Sequence, residues 1–298
     1  MPRRSRWIHL ALVTAGIVAH RLLTHPIACG SRPDPARTLV VMSWNLENFP
    51  GDHDVTAMAG RIAAIDPHVV AVQEVLDPAA FASLAPDRRA TLSVRGGARD
   101  QKLGLLVDGD TEVADVVEHA TLEHGGRVRP ALSSHVSVGA VDFHLVVVHL
   151  KATPEGLSIR RLQWAALADL LARITLHPDR DVIVVGDFNT TGNGEFSATD
   201  ERDALAAVLQ PLGVRPVPID GGCSAYWDGR RRDAWLEPAL LDLVFVRGFE
   251  GADLRARTIG ACAAHACAPL RSTQTHPDPD IAGTSDHCPL VLEIHAPD

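Results

Sequence analysis

Val182-Ile183-Val184-Val185-Gly186-Asp187-Phe188-Asn189 is the stretch on which the fold turns. Its first four residues are apolar and β-branched, so they favour extended backbone. A short run with no polar face reads as a strand covered on both sides. The run breaks off in a carboxylate and a carboxamide, which places polar chemistry at the strand end. A second string behaves in the same way: Ser285-Asp286-His287 stands just before the strand-like Cys288-Pro289-Leu290-Val291-Leu292. A carboxylate, a carboxamide and an imidazole at strand ends suit a metal-assisted phosphate site. What the protein does depends on whether the two strings meet in one cleft.

Strand-like runs recur outward from this stretch. Leu39-Val40-Val41-Met42-Ser43-Trp44 and Val69-Val70-Ala71-Val72 read as strands. Between them Val55, Met58, Ile62 and Ile65 recur at helical spacing, and Asp66-Pro67 stops that helix. Leu103 to Val107 and Val113 to Val117 read as a hairpin around Asp108-Gly109-Asp110. Arg129 to Val138 and Val141 to Leu150 read as another, turning at Gly139-Ala140. Leu157 to Ile174 is the longest helix, with Leu162, Ala166, Leu170 and Ile174 expected on one face. Asp203 to Leu209 reads as a brief helix, and Leu241 to Val246 and Pro289 to Ile294 complete the strands. The pattern predicts an α/β (α+β) fold: two packed, mostly antiparallel sheets flanked by helices. No internal repeat or domain boundary interrupts residues 38–298.

The chain has 298 residues, 46% of them hydrophobic, enough for one large core or two modest ones. A formal charge of -9 argues against a protein that coats nucleic acid through a broad basic face. It leaves room for an enzyme that holds one phosphate beside a divalent cation, because the cation supplies local positive charge. Aromatic residues make up 4% of the chain, with Tyr226 the one tyrosine, so composition gives little support to a stacking platform for single-stranded nucleic acid.

Arg3, Arg4 and Arg6 open the chain, Trp7 to Ala19 is mostly apolar, and Pro26-Ile27-Ala28-Cys29 closes the segment. That layout predicts a signal peptide over residues 1–30. Cys29, after Ile27-Ala28 and before Gly30-Ser31, resembles a bacterial lipoprotein processing site, although Pro26 stands where a leucine is usual. The expectation is an exported protein: periplasmic, secreted, or a cell-surface lipoprotein attached to a membrane through Cys29, with residues 31–37 as tether. Cys223, Cys262, Cys267 and Cys288 then permit two disulfides, in any of three pairings. Cys262 and Cys267 are the nearest pair, and Cys288 also reads as a buried thiol at a strand start. A zinc site of Cys262, His265 and Cys267 lacks a fourth ligand.

Trp44-Asn45-Leu46-Glu47, Gln73-Glu74, His149-Leu150, Gly186-Asp187-Phe188-Asn189, Leu241-Asp242-Leu243-Val244-Phe245 and Ser285-Asp286-His287 occur in the order seen in the endonuclease/exonuclease/phosphatase superfamily. The chain resembles that superfamily over roughly residues 38–296. Each motif alone is weak. Glu74 by itself reads as a surface acid, and Gly, Asp and Asn by themselves make a turn. Their order, each at a strand end, carries the resemblance. It implies a four-layered α/β sandwich and a Mg²⁺-dependent phosphoesterase, with Mn²⁺ or Ca²⁺ as alternative cations.

The resemblance also implies roles. Asn45 and Glu74 hold the metal, with Glu47 and Asp286 as further ligands; a hard cation that keeps its waters needs few protein oxygens. Asp187 and Asn189 form the water-activating and phosphate-orienting pair. His287 contacts the scissile phosphate while Asp242 holds its other nitrogen. An acid inside so apolar a strand is expected to be paired. His149 serves as proton donor or phosphate ligand. Arg129 reaches the phosphate, with Arg127 as its rival. Arg160 and Gln163 read as structural and Lys102 as surface. His119, His124, His135, His144, His177, His265 and His276 read as surface or turn residues.

The expected partner is a phosphodiester, DNA or a related molecule, bound by a monomer with no protein partner implied. Arg230-Arg231-Arg232, just after Trp227, reads as a phosphate contact or a solvated loop. A sphingomyelinase or another lipid or small-molecule phosphodiesterase is the alternative, although no exposed aromatic hairpin for membrane insertion stands out. A polyphosphate phosphatase wants a denser basic pocket. A non-catalytic binding protein on the same fold would lack a catalytic residue, and none of the set is missing. Abasic-site repair is disfavoured by the absence of a tyrosine near His149.

Overall fold

The computed structural model describes residues 38–176, 180–228, 233–273 and 275–296. The signal-peptide, lipoprotein and tether readings, His177 and the Arg230-Arg231-Arg232 run lie outside the described residues.

Two large sheets face each other. The first runs in the order β10 (Ile219–Asp220), β14 (Asp253–Thr258), β16 (Leu290–His295), β1 (Thr38–Phe49), β2 (Val69–Val75), β4 (Lys102–Val107) and β3 (Arg89–Leu92). The second runs β5 (Thr111–His119), β6 (Ala131–Val138), β7 (Val141–His149), β8 (Val182–Asp187), β13 (Asp242–Arg247) and β9 (Arg215–Pro216). Most neighbours are antiparallel, but β1 with β2, β7 with β8 and β10 with β14 are parallel. Parallel strands need a crossover. Here α1 (Val55–Ile65) links the first pair and α3 (Leu157–Ile174) the second. A small third sheet, β11 (Ala225–Trp227), β12 (Trp235–Ala239) and β15 (Leu270–Arg271), stands beside them.

Strand alternation sorts the side chains into layers. Leu39 and Val41 of β1 enter the space between the sheets and join Ala71, Leu105, Val147, Val185, Val244 and Leu292. Val40, Met42 and Trp44 alternate to the outer face. There they pack with Met58 and Ile62 of α1 and with Phe81 and Leu84 of α2 (Pro78–Leu84). On the other side Val146, Val148, Val182 and Val184 pack with Trp164, Leu167 and Leu171 of α3 and Leu205 of α4 (Ala198–Leu209). The layers run helix, sheet, sheet, helix, the sandwich that the strand pattern predicts. Both sides of Val182-Ile183-Val184-Val185 are therefore covered, and each such side chain contributes about 1.5–3 kcal/mol by burial.

Several local expectations are overturned. Leu103–Val107 and Val113–Val117 form no hairpin: β4 pairs with β2 and β3, whereas β5 pairs with β6 in the other sheet. The chain changes sheets at Asp108-Gly109-Asp110, where the Asp108 carboxylate accepts the amides of Asp110 and Thr111. A hairpin would use the same turn chemistry, so the two cannot be told apart locally. The buried face of α3 also lies elsewhere. Leu162 is 60% exposed, and Leu157, Trp164, Leu167 and Leu171 are buried beside Leu170. Arg160 and Gln163 lie on that buried face, and their polarity hides its centre from a count of apolar residues. Both are structural, as expected: Gln163 accepts the Lys151 amide and donates to the Leu122 carbonyl. Lys102 is mostly covered, with its ammonium 2.6 Å from Asp100.

The disulfides join Cys223 to Cys267 and Cys262 to Cys288. Cys262 and Cys267 are not partners, Cys288 is no free thiol, and a zinc site at Cys262, His265 and Cys267 is ruled out. The reason is local. Cys262 lies in the one-turn helix α5 (Ala261–Ala264), and the Cys267 amide donates back to the Cys262 carbonyl at 3.0 Å. The coiled backbone sends the two thiols to different partners. Some histidines read as surface residues also have partners, His119 with Ser133 at 2.7 Å, His144 with Arg180 at 3.1 Å and His265 with Asp278 at 3.1 Å. Among the described residues no helix is long and apolar enough to cross a membrane.

Candidate active site

Strand ends from both large sheets converge. β1 brings Asn45 and β2 brings Glu74 from the first sheet. In the second, His149, Asp187 and Asp242 end β7, end β8 and begin β13. They are register partners, His149 opposite Asp187 and Asp187 opposite Asp242. His287 lies just ahead of β16. Gly186 permits the close approach of β7 and β8: its φ is +134°, and a Cβ there would stand 2.0 Å from the Val148 carbonyl oxygen.

Asp187 is the hub. Its Oδ1 accepts the Asn189 amide at 2.8 Å, and its Oδ2 accepts Asn189 Nδ2 at 2.8 Å and Asn45 Nδ2 at 3.2 Å. His149 Nε2 lies 3.3 Å from the same oxygen and His287 Nε2 lies 3.9 Å from it. Behind His287, its Nδ1 is 2.7 Å from Asp242 Oδ2. The Ser224 hydroxyl accepts the amides of Leu241 and Asp242 at 3.0 and 2.8 Å. Ser285 accepts the His287 amide at 3.0 Å and donates to the Asn45 carbonyl at 2.8 Å. Trp44 Nε1 donates to the His287 carbonyl at 2.9 Å. These bonds tie the last motif to the first strand.

Glu74 Oε2 accepts Gln101 Nε2 at 2.7 Å and the Asn48 amide at 3.1 Å. Its Oε1 lies 3.4 Å from Asn45 Nδ2, 3.6 Å from His149 Nε2 and 4.0 Å from the Arg129 guanidinium. Arg129 donates to Gln101 Oε1. Glu47 Oε2 accepts the Asp286 amide at 2.9 Å, and the Glu47 amide donates to Asn45 Oδ1 at 3.0 Å. Gln101, Asn48 and Ser224 escape a reading of the sequence for reactive groups, and Ser285 stands inside the last motif with no role of its own read from it. The one signal for Gln101 is an amide placed directly before an apolar strand. Glu47, Asn48, Glu74 and Asn189 have φ of 48°, 59°, 64° and 52°. Non-glycine residues in that region cost about 1–3 kcal/mol each and collect where side chains must be aimed.

Burial sets the charge states. It raises the Asp187 carboxyl to about 7; Asp242 and Glu74 push the same way, while His287 and the Asn189 amide oppose. Burial likewise raises Asp286 and Glu47. It lowers His149 well below the usual imidazole range, assisted by Arg129 and His287. For His287 burial again lowers, but the Asp242 carboxylate outweighs it, with Asp187 and Asp286 adding, and the ring ends well above its usual range. At neutral pH the cleft thus holds a neutral His149 and a charged His287.

A sequence profile of the Endonuclease/Exonuclease/phosphatase family matches residues 42–287. The chain belongs to this family. Members of the endonuclease/exonuclease/phosphatase family hydrolyse phosphoesters and typically use divalent metals. Truncated TDP2 from Caenorhabditis elegans shares the fold at 18% identity and a TM-score of 0.65, over 87% of this chain and 98% of that one. TDP2 from D. rerio, complexed with single-strand DNA product, does so at 19% identity and a TM-score of 0.61, over 87% and 99%. A mannosyl-6-phosphatase from Bacteroides thetaiotaomicron does so at 15% identity and a TM-score of 0.59, over 86% and 99%. Likeness at these identities is likeness of fold. No curated protein sequence matches the chain.

The donors of this family cleft fit a hard divalent cation. They are carboxylate and carboxamide oxygens, and Glu47, Glu74, Asp187, Asp242 and Asp286 outnumber the cations Arg129 and His287. Among the described residues no group of three or more His, Cys, Asp or Glu side chains is arranged to hold a metal ion. All ten residues singled out from the sequence stand in or beside this cleft. The groups around Asp187 and His287 are in mutual contact, whereas Glu47 and Asp286 engage each other through the backbone.

Proposed function

We propose that the chain is an exported, monomeric, Mg²⁺-dependent phosphodiesterase of this family whose substrate is DNA or a related phosphodiester. Asp187, lying between a neutral His149 and a charged His287 backed by Asp242, carries this reading. Phosphodiester hydrolysis needs a base for water and positive charge at the phosphate. Asp187, poised near neutrality and fixed by both Asn189 bonds, takes the proton from water. The His287 imidazolium and Arg129 meet the phosphate oxygens. His149, being neutral, keeps its Nε2 hydrogen and offers it as a hydrogen bond to a phosphate oxygen, while the charged His287 gives the leaving oxygen its proton as Asp187 takes one from water. Glu74 and Asn45 would hold the cation, the Asn45 amide making a half-turn to present its oxygen, with Glu47 and Asp286 completing the acidic rim. The bound cation supplies charge opposite the phosphate and makes water more acidic. The DNA product in the D. rerio TDP2 structure supports a nucleic-acid substrate. Residues 1–30 serve as export signal, with Cys29 as the lipid-bearing anchor.

The test is incubation of purified protein with plasmid DNA and Mg²⁺, beside an EDTA control and His287→Ala. Cleavage that needs both metal and His287 is the expected result. Folded protein that leaves DNA intact but hydrolyses sphingomyelin or a sugar phosphate would move the substrate. Folded protein inert toward every phosphoester would end the enzymatic reading.

A further inference from the structure

The small sheet of β11, β12 and β15 has two unlike faces. Tyr226 and Leu270, with Leu236 packed against them, lie over the cysteines Cys223, Cys262 and Cys288. The opposite face carries Trp227, Trp235 and Arg271. Strand alternation dictates this: Trp227 lies opposite Glu237, and Trp235, two residues before Glu237, lies opposite Arg271. The tryptophans are thus diagonal neighbours on one surface. Trp227 is 39% exposed and Trp235 is 47% exposed. A recess of about 390 Å³ elsewhere on the molecule has no such link to the cleft, but this surface does. Ala225, on the same face of β11 as Trp227, bridges His287, and the Tyr226 amide donates to the Asp286 carbonyl at 2.8 Å. Trp227 stands two residues from that bridge, roughly 7 Å along the strand. Arg271 also lines a cavity of about 310 Å³ with Thr273 and His276.

We propose that this face binds the bases of a single-stranded nucleic acid whose scissile phosphate lies at His287, with Trp227 and Trp235 stacking on bases and Arg271 meeting the backbone. The proposal rests on the phosphodiesterase reading and deepens it. Indole faces stack on any base, and stacking needs no net positive charge. It offers a chain of charge -9 a way to hold a polyanion. A membrane contact fits less well. The tryptophans sit on paired strand positions with Glu237 and Arg271 on their face, and insertion into a bilayer surface wants a continuous apolar one. The low aromatic content thus misleads, because what matters is that two tryptophans share one surface beside the cleft.

The test measures binding by the full chain in EDTA, so that no hydrolysis is required. The probes are a labelled oligothymidylate and an abasic strand of the same length. The wild type should favour the base-bearing strand by about tenfold or more, in line with the worth of base–aromatic stacking. Trp227→Ala and Trp235→Ala should each cut that preference about fivefold or more, and the Phe variants should keep most of it. Arg271→Gln should weaken both strands and lower the salt slope by about one. Equal binding of both strands by the wild type would overturn the proposal. So would an undiminished preference in both Ala variants, or loss of sphingomyelin–phosphatidylcholine vesicle binding with base preference intact. Base-dependent binding by a protein that hydrolyses no phosphodiester would end the enzymatic reading and leave the platform. Hydrolysis without base-dependent binding would do the reverse.

Discussion

Arg160 and Glu201 are as buried as Asp187 and His149, yet the two groups are held in opposite ways. Arg160 Nε and one terminal nitrogen meet the two Glu201 oxygens at 2.5 and 3.0 Å. Its other donors reach the carbonyls of Lys151 and Thr153 and the Thr191 hydroxyl. Glu201 accepts the Gly192 amide as well. This network is closed, and it locks α3 to α4. In the cleft, His149 Nδ1, Asp242 Oδ1 and Arg129 Nε have no hydrogen-bond partner, and acids crowd against one another. Buried polar groups are normally satisfied, so a cluster left open has a use for its open valences. Burial alone does not distinguish the two groups; the partners of their charged side chains do.

Substitutions can break this contrast. His287→Asn should lower the hydrolytic rate by about 10²- to 10⁴-fold, the usual worth of a proton-handling or charge-bearing group. Its melting temperature should move by no more than about 5 °C. Steady-state kinetics beside a thermal melt checks both, and a large stability loss would make His287 structural. Glu201→Ala should do the opposite. It strands a buried guanidinium, costing about 3–5 kcal/mol in a denaturant titration, with activity per folded molecule retained. Replacing both partners, Arg160→Met with Glu201→Leu, should recover most of that loss.

Asp187→Asn sharpens the comparison, because its sign is reversed. The folded carboxyl titrates at about 7, above its ordinary 3.8. Between those values the folded protein keeps a proton that the unfolded chain has released. The stability contributed by this group is therefore present below 3.8 and lost as pH rises through 7. Without metal, Asp187→Asn should gain on the order of 2 kcal/mol at pH 8 and flatten the slope between about pH 4 and 7, while abolishing hydrolysis. Urea titrations in EDTA across that range decide it, and a destabilised variant would contradict the picture of crowded acids. The smallest effect belongs to the surface. Arg255 and Asp253 pair at 2.8 Å with both side chains exposed. Arg255→Ala should change stability by less than about 0.5 kcal/mol.

The site was more legible in the sequence than the path of the chain between its parts. Asp187, Asp242 and His287 stand out because a polar group beside a wholly apolar strand contradicts its surroundings, and contradiction is local. Alternation likewise makes the layered sandwich legible. The switch of sheets at Asp108-Gly109-Asp110 was not legible, since either outcome uses the same turn. Disulfide pairing was hidden because Cys223 and Cys267 are 44 residues apart, and Cys262 and Cys288 26, with no local mark of partnership. Gln101 was hidden because its work is to aim Glu74 and Arg129, and an aiming residue has no reactive group to announce it. Trp227 and Trp235 were visible as residues but not as neighbours, because only strand register puts them on one face.

Thr38–Ser43 pairs with Leu290–His295, so the first and last strands of the sandwich lie side by side. The His287 turn is gripped by Trp44 and by the Asn45 carbonyl across 240 or more residues of intervening chain. A ribosome that has delivered Asn45, Glu74, His149, Asp187 and Asp242 has still delivered no working cleft. Nor does a proteolytic fragment that ends before β16 retain one. Such distant closure comes late in folding. The strand order therefore acts as a clock: the cleft is complete only once β16 is in place.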